Sequence, residues 1–244
     1  MSFPASAPAL SDVHRALAVF AHPDDVDFGC AGTIAGWVED GVAVGYLIVT
    51  RGDAGGFDDT ARERMPRLRE AEQRAAAAAV GVTRVDFLDG YADGTVTPTL
   101  DLRRDVTAAI RRFRPDRVLT NSPLRRWEHL AGPSHPDHLA VGEATTCAVY
   151  PDARNPFAHP ELLAQGLQPW VVREIWYAGG PGPDHAVDIT DQIDRKIAAM
   201  RAHSSQTDRL DLETWVRDRL TAVADNAGLP SGRLAEAFTV LRTE

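Results

Sequence analysis

Lysine and cysteine are nearly absent. The 244 residues contain one lysine, Lys196, and two cysteines, Cys30 and Cys147. Two cysteines cannot build a disulfide framework, and neither stands in a CxxC pair, which argues against metal held by thiolates. Both are expected as small buried residues. A Schiff-base mechanism has one candidate, and Lys196 falls in a stretch that reads as a surface helix. No apolar run approaches the length of a membrane span. Residues 1–11 lack the charged start and apolar stretch of a signal peptide, so a cytoplasmic enzyme is the expectation. No GxSxG elbow is present, which argues against a serine hydrolase of the α/β-hydrolase type. The Gly-rich loop Arg51–Gly56 is neither GxGxxG nor a Walker loop and reads as a flexible loop. Positive charge is also short. A net charge of −9 disfavours nucleic acid or an anionic membrane as the main partner.

Apolar runs of strand length alternate with helical stretches. Strands are predicted at 15–21, 42–50, 84–88, 116–121, 171–177 and 186–189. Helices are predicted at 28–40, 60–80, 100–113, 136–149, 190–203 and 212–225. Such alternation with short connections means an α/β domain, a mostly parallel sheet with helices on both faces. We expect one domain over residues 15–244 behind a short N-terminal extension, residues 1–14. The longest irregular stretches, 121–134 and 151–169, are candidate rims of a functional site.

Two clusters carry the chemistry. Ala21-His22-Pro23-Asp24-Asp25 directly follows the first strand, and His135-Pro136-Asp137-His138 opens a helix far downstream. In open α/β sheets, ligands bind beyond the carboxyl ends of the strands, where His22, Asp25, the Gly-rich loop and Asn121 all fall. Imidazole and carboxylate suit a borderline divalent metal, and three protein ligands with an open position make a catalytic zinc site. His22, Asp25 and one of His135 and His138 supply that count. Asp24 and the other histidine are then left as an acid/base pair for amide hydrolysis. Taken alone, each cluster has an ordinary alternative as helix caps and solvent-facing polar side chains. His14, His129, His159 and His185 have no partner spacing and default to surface or loop roles.

These residues resemble the LmbE-like, or PIG-L, deacetylase family. The resemblance rests on His22-Pro23-Asp24-Asp25 with Gly29–Thr33 and on the loop Thr50–Gly56. It rests also on the helix carrying Arg69-Glu70, on His135–His138 and on His203-Ser204-Ser205-Gln206. It implies a Rossmann-like domain that uses zinc, one ion per chain, to remove an acetyl or related acyl group from an amino sugar or its conjugate. It implies His22, Asp25 and His138 as metal ligands and Asp24 as general base. His135 would be the oxyanion stabiliser or proton donor, Asp137 the support of a histidine, and Arg69 a contact to the substrate's polar groups. The expected partner is a small amino-sugar substrate. A homo-oligomer stays open. Some members carry a tyrosine two residues before the first histidine of the second cluster; here that residue is Pro133. The competing readings are deacylation of a glycosylated natural product or thiol conjugate, and a non-catalytic metal-binding module.

Overall fold

A computed structural model describes residues 9–56, 61–209 and 211–243. Among them are seven strands: β1 (Arg15–Phe20), β2 (Ala43–Ile48), β3 (Arg84–Phe87), β4 (Arg117–Asn121), β5 (Glu174–Ala178), β6 (His185–Asp188) and β7 (Ala235–Arg242). The α-helices are α1 (Asp25–Glu39), α2 (Met65–Ala79), α3 (Leu100–Phe113), α4 (Pro136–Cys147), α5 (Pro160–Ala164), α6 (Ile193–Arg201), α7 (Ser204–Thr207) and α8 (Leu212–Asn226). One sheet runs in the order β3-β2-β1-β4-β5-β7-β6. Its first five strands are parallel, and β7 pairs antiparallel with both β5 and β6.

From Ala16 onward β1 is apolar, because both of its faces are buried. Ala16, Ala18 and Phe20 pack into the core beneath α1 and α2. Leu17 and Val19 point the other way, into the core beneath α3 and α4. β2 lies on one side of β1 and β4 on the other. The strands stay parallel, but their order of succession switches from one side of β1 to the other, and such a switch point leaves a crevice at the strand ends.

The α-helices α3, α4 and α8 start where expected, and α1, α2 and α6 do not. α1 begins at Asp25, three residues earlier than its apolar pattern indicates, so the first cluster forms the helix's own N-terminus. α2 begins at Met65, with Pro66 in its first turn and a 3-10 turn at Arg62–Arg64 before it. Residue 60 of the expected 60–80 helix and residues 1–8 of the expected N-terminal extension lie outside the described residues. α3 is capped by the Thr99 hydroxyl, which accepts the Leu102 N–H at 3.2 Å, and it ends at Arg114 in the left-handed region.

β7 has no counterpart among the sequence expectations. Its inward-facing Glu236 breaks the apolar alternation that marks a half-buried strand. Glu236 is buried because Lys196 is buried with it, their charges 2.7 Å apart. Helix α6 does have a surface face, with Asp194, Ala198 and Arg201 exposed, but Lys196 lies on its buried side. Its other donors reach the carbonyls of Asp27 and Phe28, and Glu236 accepts the N–H groups of Gly32 and Thr33. Removing one member of a buried pair strands the other charge. Lys196→Met should cost about 3–5 kcal/mol, read as a lowered urea midpoint at unchanged m-value. A variant within about 1 kcal/mol of wild type, on the order of a surface pair, would deny the clamp any weight.

Cys30 is buried as expected, whereas Cys147 is only half-buried at the C-terminal end of α4.

Candidate metal centre

The turn between β1 and α1 carries an unusual backbone. Asp24 has φ 89°, a left-handed value for a residue with a side chain, and such strain costs on the order of 1–3 kcal/mol. It is held from three directions. Gln73 Oε1 accepts the Asp24 N–H at 2.9 Å. Arg69 donates to the Pro23 carbonyl at 2.6 Å. Asp25 Oδ2 accepts the His22 N–H at 2.9 Å. The Asp24 carbonyl meanwhile accepts the first N–H groups of α1, from Asp27 and Phe28. Gln73 is itself fixed, because its amide donates to Asp27 Oδ2 at 2.8 Å, and His203 Nε2 binds that same oxygen at 2.8 Å.

The bend sends neighbouring carboxylates apart. Asp25 turns toward His22 Nδ1, 3.4 Å away, and His138 Nε2, 3.0 Å away. Asp24 turns to Arg69, whose guanidinium donates to its Oδ2 at 2.9 Å. Asp24 does not cap α1 with its side chain.

The second cluster arrives on the N-terminus of α4. His135 is the N-cap residue, and its Nδ1 accepts the Asp137 N–H at 3.3 Å. His138, one turn on, projects from the same end. α4 can approach because Gly142 lies against the end of β4: a Cβ there would stand 2.4 Å from the Asn121 carbonyl oxygen. Asp137 is buried and accepts the Gly94 and Val96 N–H groups at 2.7 and 3.1 Å.

His22 is the hinge of the arrangement. Its Nδ1 lies 3.2 Å from His138 Nε2. Its Nε2 lies 3.0 Å from both Asp137 Oδ2 and Asp93 Oδ1. Burial would lower the His22 pKa, but the carboxylates of Asp25, Asp137 and Asp93 raise it to about 12. Burial likewise pushes Asp25 up, and His138 and His22 overcome this to hold it well below the usual carboxylate range. The centre is built for positive charge. Asp24 is different: burial, opposed by Arg69, lifts it to about 6. His135 is lowered by burial and by the two neighbouring imidazoles.

The donor atoms fit a metal ion. His22 Nδ1, His138 Nε2 and the Asp25 carboxylate stand 3.0–3.4 Å apart. A tetrahedral ion at roughly 2.1 Å from its ligands sets them about 3.4 Å apart. His135 also brings a ring nitrogen within 4.8 Å of those of His22 and His138, a looser approach than that of Asp25. The Nε2 side of His22 then donates to carboxylates, as metal-bound imidazoles generally do.

Asp93 was absent from the sequence reading. It lies in a turn after β3 with no spacing relation to any histidine. Arg69 is 4% exposed; its guanidinium donates to Asp24, Pro23 and Gly52, and its buried Nε has no partner among the described residues. A cavity of about 950 Å³ opens on Asp24, Asp25 and His138. Of the two expected rims, 121–134 forms part of its wall through Asn121, Arg126 and His129, and no residue of 151–169 lines it. The far wall comes from Trp215, Val216, Leu220 and Val223 of α8.

Residues 17–149 match PIG-L, described as GlcNAc-PI de-N-acetylase. The chain belongs to the PIG-L family. Among curated relatives in the family, the diacetylchitobiose deacetylase of Thermococcus kodakarensis is 31% identical over 93% of this chain and 83% of its own length. A probable N-acetyl-α-D-glucosaminyl L-malate deacetylase 2 of Bacillus cereus is 33% identical over 80% of this chain and 84% of its own. The solved N,N′-diacetylchitobiose deacetylase of Pyrococcus horikoshii superposes with a TM-score of 0.85 at 28% identity, covering 95% of this chain and 85% of that one. The PIG-L match takes in both clusters. No α-helix among the described residues is long and apolar enough to cross a membrane.

Proposed function

We propose that the protein is a zinc-dependent N-deacetylase that hydrolyses the acetamide of an N-acetylglucosamine-containing saccharide or conjugate. One observation carries the reading: three metal-type donors within 3.4 Å of one another, with a carboxylate outside the set, Asp24, on the same cavity. The relatives' named substrates supply the sugar. The cavity stands near the upper end of the roughly 300–1,000 Å³ usual for small-molecule sites. It favours a disaccharide or a conjugate over a lone monosaccharide.

His22, Asp25 and His138 would hold the ion, which supplies Lewis acidity toward water and the amide carbonyl. Asp24 accepts a proton from the attacking water and passes it to the amine nitrogen as the C–N bond breaks, releasing acetate. Arg69 aims that carboxylate. Asp137 and Asp93 orient His22 through its Nε2–H. His135, neutral near pH 7 by its lowered pKa, donates to the oxygen that gains charge.

Acetate release from N,N′-diacetylchitobiose and from N-acetylglucosaminyl conjugates, beside peptide and ester panels, tests the reading. Peptide cleavage without sugar turnover would overturn it, as would activity indifferent to strong chelators. His135→Ala should keep its metal and lose roughly 10²-fold in kcat. Metal analysis beside kinetics checks this, and a variant that loses its ion makes His135 a ligand instead.

A further inference from the structure

Asn121 is the last residue of β4 and is 6% exposed. Its Oδ1 accepts the Ala21 N–H at 3.1 Å, which fixes which end of the amide is which. The NH2 is left over, and among the described residues no acceptor is hydrogen-bonded to it. Asn121 lines the cavity together with Asp24, Asp25 and His138. Its position relative to the centre is set twice: Ala21 directly precedes His22, and the Asn121 carbonyl packs on Gly142, one turn past His138.

We propose that the Asn121 amide is a hydrogen-bond donor to the acyl carbonyl oxygen of the substrate, and so a specificity-determining and catalytic group. The proposal rests on the deacetylase reading above. A carbonyl under attack gains negative charge on oxygen, and a fixed N–H donor lowers the energy of that charge. Asn121 supplies a second donor to that oxygen beside His135, and four other polar groups of the same wall, Asp24, Asp25, Lys196 and Tyr177, are unsuited to the task. The Asp24 and Asp25 carboxylates would repel the oxygen. All three Lys196 donors are spent on Asp27, Phe28 and Glu236. The Tyr177 hydroxyl is engaged with Thr146. Where some family members have a tyrosine, this chain has Pro133, which can donate nothing. An asparagine pinned by its own oxygen is pre-aimed, so its NH2 needs no reordering on binding.

The pinning of Ala21 and the donation to substrate are separable. Asn121→Asp keeps an oxygen for the Ala21 N–H and removes the donor; Asn121→Ala removes both. Each should lower kcat roughly 10²-fold on the acetylated sugar, with KM and metal content close to wild type. A second measurement needs no turnover. In an Asp24→Asn background, the infrared band of a ¹³C-labelled substrate carbonyl should lie at lower frequency with Asn121 in place than after Asn121→Ala. A rise in KM alone, loss of the metal, an unchanged kcat or an unshifted band would each overturn the proposal. Failure of the wild type to release acetate from any acetylated sugar would instead overturn the deacetylase reading, and this proposal with it.

Discussion

Asp24→Asn lowers kcat by up to roughly 10⁴-fold while the protein stays folded and metal-loaded. Asparagine keeps the shape of aspartate and an oxygen for the Arg69 guanidinium, which donates to Asp24 at 2.9 Å. It also tolerates the left-handed backbone better than most residues, so the φ of 89° at this position is no obstacle. What it loses is the capacity to take a proton from water. Burial already works against the charge at position 24, so the neutral side chain imposes no new desolvation cost. Metal stoichiometry, substrate affinity and kcat measured together make the test. Turnover near the wild-type rate would remove Asp24 as the base and leave the ion as the sole source of activated water.

Asp25→Ala and His138→Ala abolish turnover by a different route, through loss of the ion. Removing groups that merely orient a ligand costs about 10–100-fold in metal affinity, and removing a ligand itself should exceed that. Added zinc should restore part of the activity of Asp25→Ala, because the two imidazoles and the carboxylates of Asp93 and Asp137 remain. It should restore nothing to Asp24→Asn, and that contrast separates two adjacent aspartates whose single-mutant activities look alike. Elemental analysis of both proteins after dialysis is the measurement. Full metal content in His138→Ala would remove His138 from the ligand set and make His135 the histidine that holds the ion beside His22 and Asp25.

The parallel half of the sheet was legible because buried parallel strands are plain apolar runs and their helices end at Gly or Pro. Of the antiparallel edge, β6 was legible to within one residue and β7 was not. β7 carries Glu236 on an inward face, and only a lysine 40 residues earlier makes that position tolerable. The stretches that meet at the candidate centre could be read from spacing, since His22 with Asp25 and His135 with His138 are each three residues apart. Asp93 and Gln73 could not, and Asn121 could be placed at the ligand edge of the sheet but given no role. Each meets the centre through a tertiary contact, and nothing in its local sequence distinguishes a turn aspartate, a helix glutamine or a strand-end asparagine that does so. For Arg69 the family resemblance implies contact with the substrate's polar groups, and the structure adds hydrogen bonds to Asp24 and Pro23 that position the turn.

The turn bearing Asp24 and Asp25 is braced directly by Gln73, and the helix α1 that continues it is held by Lys196, His203 and Glu236, which lie beyond residue 149, where the family match stops. The fold is therefore not modular with respect to its chemistry. Exchanging the C-terminal third with that of a relative would import a new substrate-facing α8 and would also replace the struts under the catalytic turn. Recombination that keeps Lys196 with Glu236, and His203 with Asp27, should yield active hybrids. Crossovers that split either pair should yield folded proteins with a slack turn. Directed evolution of substrate range has its freest ground on α8 and the 122–134 loop, where side chains face the cavity and the struts do not pass.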